Sequence, residues 1–182
     1  MLAEHLEIIR REWDPGPFDF AGEHYRIESL DALPKPIASP NLIVGGRARP
    51  RSLAIAARWA DEYNLVMMSA DECRDAVAAI TGAWEEAGRA RPVISLMTGC
   101  VIGTDRVDLL ERAHRVAGVR GEDATDPEAY IEGLPSHWLI GTEPEISTKI
   151  AELEDAGIDR VMLQYLTHDD LDGVDLIAEL AA

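Results

Sequence analysis

The chain has 182 residues, 47% of them hydrophobic, which is enough length and apolar content for one soluble domain with its own core. Its 17 Lys and Arg against 34 Asp and Glu leave a formal net charge of −17, a surface that repels phosphate backbones and anionic lipid. Nucleic acid and membrane are therefore not expected as partners, and an anionic small molecule needs a place where positive groups are gathered.

Leu2, Leu6, Ile9 and Trp13 recur at helical spacing, so the chain opens on an amphipathic helix that Pro15, Gly16 and Pro17 end. Its acids Glu4, Glu7 and Glu12 do not suit a signal peptide, and no apolar run in the chain reaches the ~18 residues of a membrane span, so a cytoplasmic protein is expected. Phe18 to Ile27 reads as a short extended excursion turning at Gly22, followed by a connector studded with Pro34, Pro36 and Pro40. Residues 14–40 together form an irregular insertion and Pro-rich linker.

From Asn41 the pattern changes to strand followed by helix. Leu42-Ile43-Val44 is wholly apolar, as in a parallel strand buried on both faces, and Gly45-Gly46 closes it. A helix is expected from about Pro50 to Ala60 and a second strand within Asp61 to Met68. Ser69 and Glu72 make a capping box for a helix whose stripe runs through Cys73, Val77, Ile80, Trp84 and Ala87 to a stop at Gly88. Val93 to Ile102 is the third strand, and Thr104 starts a helix with Val107, Leu110 and Ala117 inward and His114 completing its stripe. Residues 119–139 are the least regular, with Asp126-Pro127 as a short helix start. Thr142 and Glu145 box the next helix, Arg160 to Tyr165 is the fourth strand, and a last helix carries Leu171, Val174, Ile177 and Leu180. His168 with Asp169 and Asp170 reads as that helix's cap rather than a metal pair, and no metal site is expected. The two cysteines, Cys73 and Cys100, lie in apolar patterns and read as buried free thiols.

Strand and helix thus alternate four times, which argues an α/β fold with a parallel sheet and right-handed crossovers. A closed (β/α) barrel needs eight strands, and four parallel strands alone leave two unpaired edges. The other half is either missing by truncation, supplied by another chain, or unneeded in a doubly wound sheet.

The strongest local pattern for binding runs from Leu42 to Ser52. Two glycines after a strand let backbone amides approach a ligand, the helix that follows offers free N–H groups, and Arg47, Arg49 and Arg51 gather positive charge in an acidic chain. The pair reads either as a phosphate cradle or as a tight turn, and it lacks both GxGxxG and GxxxxGK[ST] spacing. Asn64 reads either as an orienting hydrogen-bonder or as a turn residue. Met67-Met68 reads as core filling, with contact to a ring system as the other option.

Beside this reading stands a resemblance. Trp13, the run Phe20-Ala21-Gly22-Glu23-His24-Tyr25 and Pro34-Lys35-Pro36 lead into Asn41-Leu42-Ile43-Val44-Gly45-Gly46 and Ala56-Ala57-Arg58-Trp59-Ala60-Asp61-Glu62-Tyr63-Asn64. Ile140-Gly141-Thr142-Glu143-Pro144-Glu145 and Ala156-Gly157-Ile158-Asp159-Arg160-Val161-Met162-Leu163-Gln164 follow. In order and over nearly the whole chain, these resemble the bacterial luciferase-like monooxygenase family, and the Asp61-Glu62 step and the ending through Gln164 resemble its branch that uses coenzyme F-420, a deazaflavin. The resemblance implies residues 1–182 as a single domain, the C-terminal half of a (β/α)8 TIM barrel with about four strands. It further implies a flavin- or deazaflavin-dependent oxidoreductase acting on a small organic substrate, with F-420 as cofactor and FMN as the alternative.

The family's first four strands, which carry much of the substrate pocket, have no counterpart here, so no catalytic residue is carried over. The cofactor-binding residues implied are Gly45, Gly46, Arg47, Arg51 and Asn64. A homodimer or completion by an N-terminal half is the expected assembly. The competing reading is a non-catalytic barrel fragment that dimerises or binds an anion.

Overall fold

The computed structural model describes residues 1–180. The opening helix α1 (Leu2–Trp13) buries Leu6 and Ile8, packs Ile9 and Trp13 on the core, and leaves Leu2 exposed. β1 (Phe18–Ala21) and β2 (Arg26–Leu30) pair antiparallel, with Gly22 N–H donating to the Tyr25 carbonyl at 2.8 Å. The expected excursion is therefore a hairpin separate from the main sheet. No regular element occupies residues 31–42.

The main sheet and its helices follow as β3 (Ile43–Gly46), α2 (Pro50–Trp59), β4 (Glu62–Val66), α3 (Ala70–Glu86), β5 (Val93–Gly103), α4 (Arg106–Arg120), α5 (Pro127–Gly133), β6 (Leu139–Thr142), α6 (Glu143–Asp155), β7 (Arg160–Gln164) and α7 (Leu171–Glu179). All pairings in this sheet are parallel. β3, β4, β5 and β7 lie side by side in that order, the arrangement expected of consecutive barrel strands.

β6 is an addition to the four strands expected. β5 has eleven residues and pairs with β7 only through Gly99, so its continuation, Cys100–Gly103, takes up Leu139–Thr142 as a further partner. The sequence placed Leu139 in the irregular stretch and the next three residues in a helix cap, because four residues show no period.

Local signals set most helix ends. Glu72 accepts from Ser69 N–H at 2.9 Å while Ser69 Oγ accepts from Glu72 N–H at 3.3 Å, and Glu145 reaches back to Thr142 N–H at 2.7 Å. Asp170 caps α7 through Gly173 N–H. α4 departs from expectation, since its cap is Asp105 and its buried stripe is Leu109, Arg112, Ala113, Val116 and Ala117. Val107 is 68% exposed and His114 is exposed, its Nδ1 3.2 Å from the Ala124 carbonyl. Of the residues expected inward, Ala117 lies in the buried stripe, and Val107 and His114 lie outside it. Cys73 and Cys100 are buried free thiols, pushed up by burial to about 11 and about 12.

Alternation along the strands gives the sheet two unlike faces. The outer face carries Leu42, Val44, Tyr63, Leu65, Ile94 and Leu96, all in the main core with α2, α3 and α6 residues such as Leu53, Ile80, Trp84 and Ile146. The inner face carries Ile43, Gly45, Glu62, Asn64, Ser95, Met97, Arg160, Met162 and Gln164, aligned in rows by the strand register. Ile43 is 42% exposed, so β3 is buried on one face in this chain, not on both as its continuous apolarity suggested. Apolar residues on a strand report what the strand packs against in a closed barrel, and four strands supply one wall of it.

Candidate functional site

The glycine pair ends β3 at the carboxyl edge of the sheet, and its two members do different things. Gly46 faces outward, where a Cβ would lie 3.0 Å from the Tyr63 hydroxyl. That hydroxyl accepts from Ala48 N–H at 3.2 Å and lies 3.1 Å from Ser52 Oγ, so it pins the loop to the start of α2. Ala48 takes a left-handed φ of 49°, which gives the loop its sharp entry into the helix. Gly45 faces inward, is exposed, and sits in register with Asn64.

The start of α2 differs from every other helix described. α1 and α3 through α7 each place an Asp or Glu in the first turn, matching the positive end of the helix dipole. α2 has no acid there and no side-chain cap; it has Arg49 at the cap position, Pro50 at the first turn and Arg51 next. In a chain of net charge −17 this is where positive dipole, open amides and cationic side chains coincide. Arg51 is exposed and has no ion-pair partner among the described residues. Arg47 is engaged, bonding Glu72 at 3.1 Å and the Met67 carbonyl at 3.3 Å. Hydrogen bonds from Ser69 N–H and Oγ, with help from Arg47, hold the Glu72 carboxyl below its ordinary value.

Asn64 is the third of five residues in β4, so it is not a turn residue. It is 8% exposed, and its Nδ2 donates to Ser95 Oγ at 2.8 Å and lies 3.5 Å from Met162 Sδ. Ser95 in turn donates to Glu62 Oε1 at 2.6 Å, and Glu62, wholly buried, accepts from Asn41 and Arg160. Glu62 and Arg160 stand in the sequence only as parts of family-like runs, and Ser95 in none, so no site role was expected of them. They lie on three separate strands, and the available signal was a polar residue at alternating positions inside otherwise apolar strands.

The carboxyl edge is built up further by α4 and the loop after β7. Met67, in a left-handed conformation at φ 52°, packs with the second core of Val101, Leu109 and Trp138, while Met68 joins the main core. Gly99 is required by this packing, since a Cβ would lie 2.3 Å from the Trp138 ring. Arg112, 6% exposed, donates to Asp108 at 3.0 Å, to Asp170 at 2.5 Å and to the Tyr165 hydroxyl at 3.1 Å, anchoring the β7–α7 loop. Burial alone would raise the Asp170 carboxyl; the donors from Tyr165, Gly173 and Arg112 outweigh it and leave the group lowered.

Next to the Arg47–Glu72 pair is a cavity of about 430 Å³ lined by Ser69, Arg74, Ser136, His137 and Lys149, among others. At the hairpin turn, Glu4, Glu23 and His24 bring possible ligand atoms within 4.8 Å, but one Glu4 oxygen already accepts from the N–H groups of His24 and Tyr25.

Comparison with known proteins places this architecture. The chain is 30% identical over 132 residues to the pyrimidine monooxygenase RutA of Pseudomonas syringae pv. syringae (strain B728a), covering 70% of this chain and 34% of that protein. It is 24% identical over 195 residues to the FMNH(2)-dependent dimethylsulfone monooxygenase of Pseudomonas fluorescens (strain Pf0-1), covering 90% and 51%. The chain thus spans from a third to about half of these relatives' lengths.

Among solved structures, an F-420-dependent secondary alcohol dehydrogenase in complex with an F-420–acetone adduct aligns with a TM-score of 0.76 at 17% identity, over 99% of this chain and 60% of that one. The F-420-dependent tetrahydromethanopterin reductase of Methanopyrus kandleri aligns with a TM-score of 0.76 at 18% identity, over 98% and 61%. These establish the fold as part of a TIM barrel. The family model for luciferase-like monooxygenases matches residues 1–160, and the chain belongs to that family.

Proposed function

We propose that this chain is the cofactor-holding, C-terminal part of a cytoplasmic flavin- or deazaflavin-dependent oxidoreductase acting on a small organic substrate, with F-420 as the preferred cofactor and FMN as the alternative. The observation that carries it is the start of α2. Acids guard the first turn of every other helix described, and here arginines stand in their place behind a glycine pair. A phosphate fits this end, within reach of the Arg51 and Ser52 amides and of the Arg51 guanidinium. Arg47 joins it by leaving Glu72, which keeps its Ser69 contacts and stays charged.

The inner face suits a ring system. Gly45 leaves open space, Met97 and Met162 offer polarisable thioethers in one row, and Asn64 stands one row away. Relatives named for FMNH(2) and structures named for F-420 support this class of cofactor. Bound there, the ring supplies the redox step by hydride exchange, and the chain's residues hold and orient it. The edges of β3 and β7, unpaired among the described residues, support assembly with an N-terminal half or a second copy.

The test is a titration of the purified chain with F-420 and with FMN, followed by fluorescence and visible absorbance. Saturable binding that Arg51→Glu weakens supports the reading. No binding of either cofactor overturns it.

A further inference from the structure

Gly45 is a glycine with no local reason to be one. Its backbone is not left-handed, and a Cβ would meet Asn64 atoms at 3.5 to 3.9 Å, ordinary contact distances. Neither φ nor crowding demands it, in contrast to Gly46 and Gly99. What a glycine does at this place is keep the inner face bare in front of Asn64, the residue in register with it.

Asn64 is held there in one orientation. A carboxylate only accepts hydrogen bonds, so Glu62 Oε1, 2.6 Å from Ser95 Oγ, takes that serine's single proton. Ser95 Oγ can then only accept from Asn64, which turns Nδ2 toward it at 2.8 Å. The atom left over is Asn64 Oδ1, an acceptor, and it lies 3.9 Å from where a Gly45 side chain would be. Across Ser95 in the same row is Arg160, whose Nη1 is 3.2 Å from Glu62 while the side chain stays 53% exposed. The row thus presents a fixed acceptor and, from the far side, a half-free guanidinium.

We propose that Asn64 Oδ1 and Arg160 read the imide edge of a planar heterocycle lying over Gly45, the ring N–H bonding Asn64 and an adjacent carbonyl bonding Arg160. Ser95 and Glu62 are positioning residues that make Asn64 an acceptor. The inference rests on the flavin-type reading above. The edge is shared by the pyrimidine end of a flavin or deazaflavin and by a free pyrimidine such as uracil.

The experiment titrates the full chain with riboflavin, which has the ring N–H and no phosphate, and with 3-methylriboflavin, in which that N–H is blocked. One hydrogen bond corresponds to a preference for riboflavin of about tenfold. Asn64→Leu abolishes the preference, and so does Glu62→Gln, because a carboxamide no longer dictates the direction of the Ser95 hydroxyl. Ser95→Thr keeps it. Should Asn64→Leu fail to fold, the paired ligands on the wild-type chain and on Glu62→Gln still decide. Displacement of riboflavin by uracil assigns the edge to a free pyrimidine, and riboflavin binding that uracil does not displace assigns it to the cofactor ring.

Equal binding of riboflavin and its methylated form overturns this inference, while FMN or F-420 binding that responds to Arg51→Glu leaves the proposed function standing. Absence of binding by every probe overturns both.

Discussion

The two faces of one sheet divide the labour of this chain. On the outer face, Tyr63, Leu65, Ile94 and Leu96 are fully buried against helices, and each removes apolar surface from water. On the inner face β4 and β5 carry Glu62, Asn64 and Ser95, which with Arg160 of β7 make a continuous hydrogen-bonded path, with Gly45 of β3 bare beside it. Residues one step apart in the sequence therefore answer to different demands. The outward ones are fixed by packing, the inward ones by what they can donate and accept.

The comparison can be broken most forcefully from the outside. Trp84→Ala removes a side chain only 1% exposed, set edge-on to Tyr63 at 6.3 Å, and should cost about 3–5 kcal/mol. Urea unfolding would register that as a lower midpoint at an unchanged slope. Arg112→Met leaves the buried Asp170 without its nearest cationic partner, and a loss of about 3 kcal/mol is expected in the same assay.

That second variant also has a pH signature. Asp108 and Asp170 are held below the ordinary aspartate value of 3.8, so the stability they contribute is complete above that value and disappears as pH falls through the lowered folded-state values. Unfolding midpoints followed downward from pH 5 should fall more steeply for the wild-type chain than for Arg112→Met. Parallel curves would show that the cluster contributes no acid dependence.

The glycine pair sharpens the contrast. Gly46→Ala places a methyl 3.0 Å from the Tyr63 hydroxyl and should cost about 1 kcal/mol by loosening the loop that this hydroxyl pins. Gly45→Ala should leave the thermal midpoint within the range of a neutral surface change, about 0.5 kcal/mol, yet weaken riboflavin binding by filling the space over Asn64. Arg51→Glu, on an exposed side chain with no ion pair among the described residues, should leave stability unchanged and reduce FMN binding more at low salt than at high. If Gly45→Ala and Gly46→Ala lose stability alike, the division between the faces fails at this position.

Much of this could be read without coordinates where the signal is local. The boxes at Ser69–Glu72 and Thr142–Glu145, the stop at Gly88, and the parallel alternation all came from neighbouring residues. β6 escaped because its four residues mean nothing until the end of β5 runs past β7 and needs a partner. In α4 Ala117 is inward as expected while Val107 and His114 face solvent, because which face of a helix meets the sheet is decided by packing, here through Leu109, Ala113 and Val116. At the candidate site, Gly45, Gly46, Arg47, Arg51 and Asn64 were singled out from a glycine pair, a run of arginines and a resemblance. Their different situations, Arg47 engaged by Glu72 and Arg51 without an ion pair among the described residues, were not visible there.

The sequence by itself determined the parallel β/α plan, the two capping boxes, the acidic surface and the family, because each of these follows from spacing along the chain or from composition. Only the tertiary structure decided that Gly46 makes room for a tyrosine while Gly45 keeps a space open, and that Glu62, Ser95, Asn64 and Arg160 form one path. Those facts depend on strand register, which in the polar path brings together residues 31 to 98 positions apart. Hydrogen-bond direction is a property of neighbours in space, and no pattern along the chain encodes it.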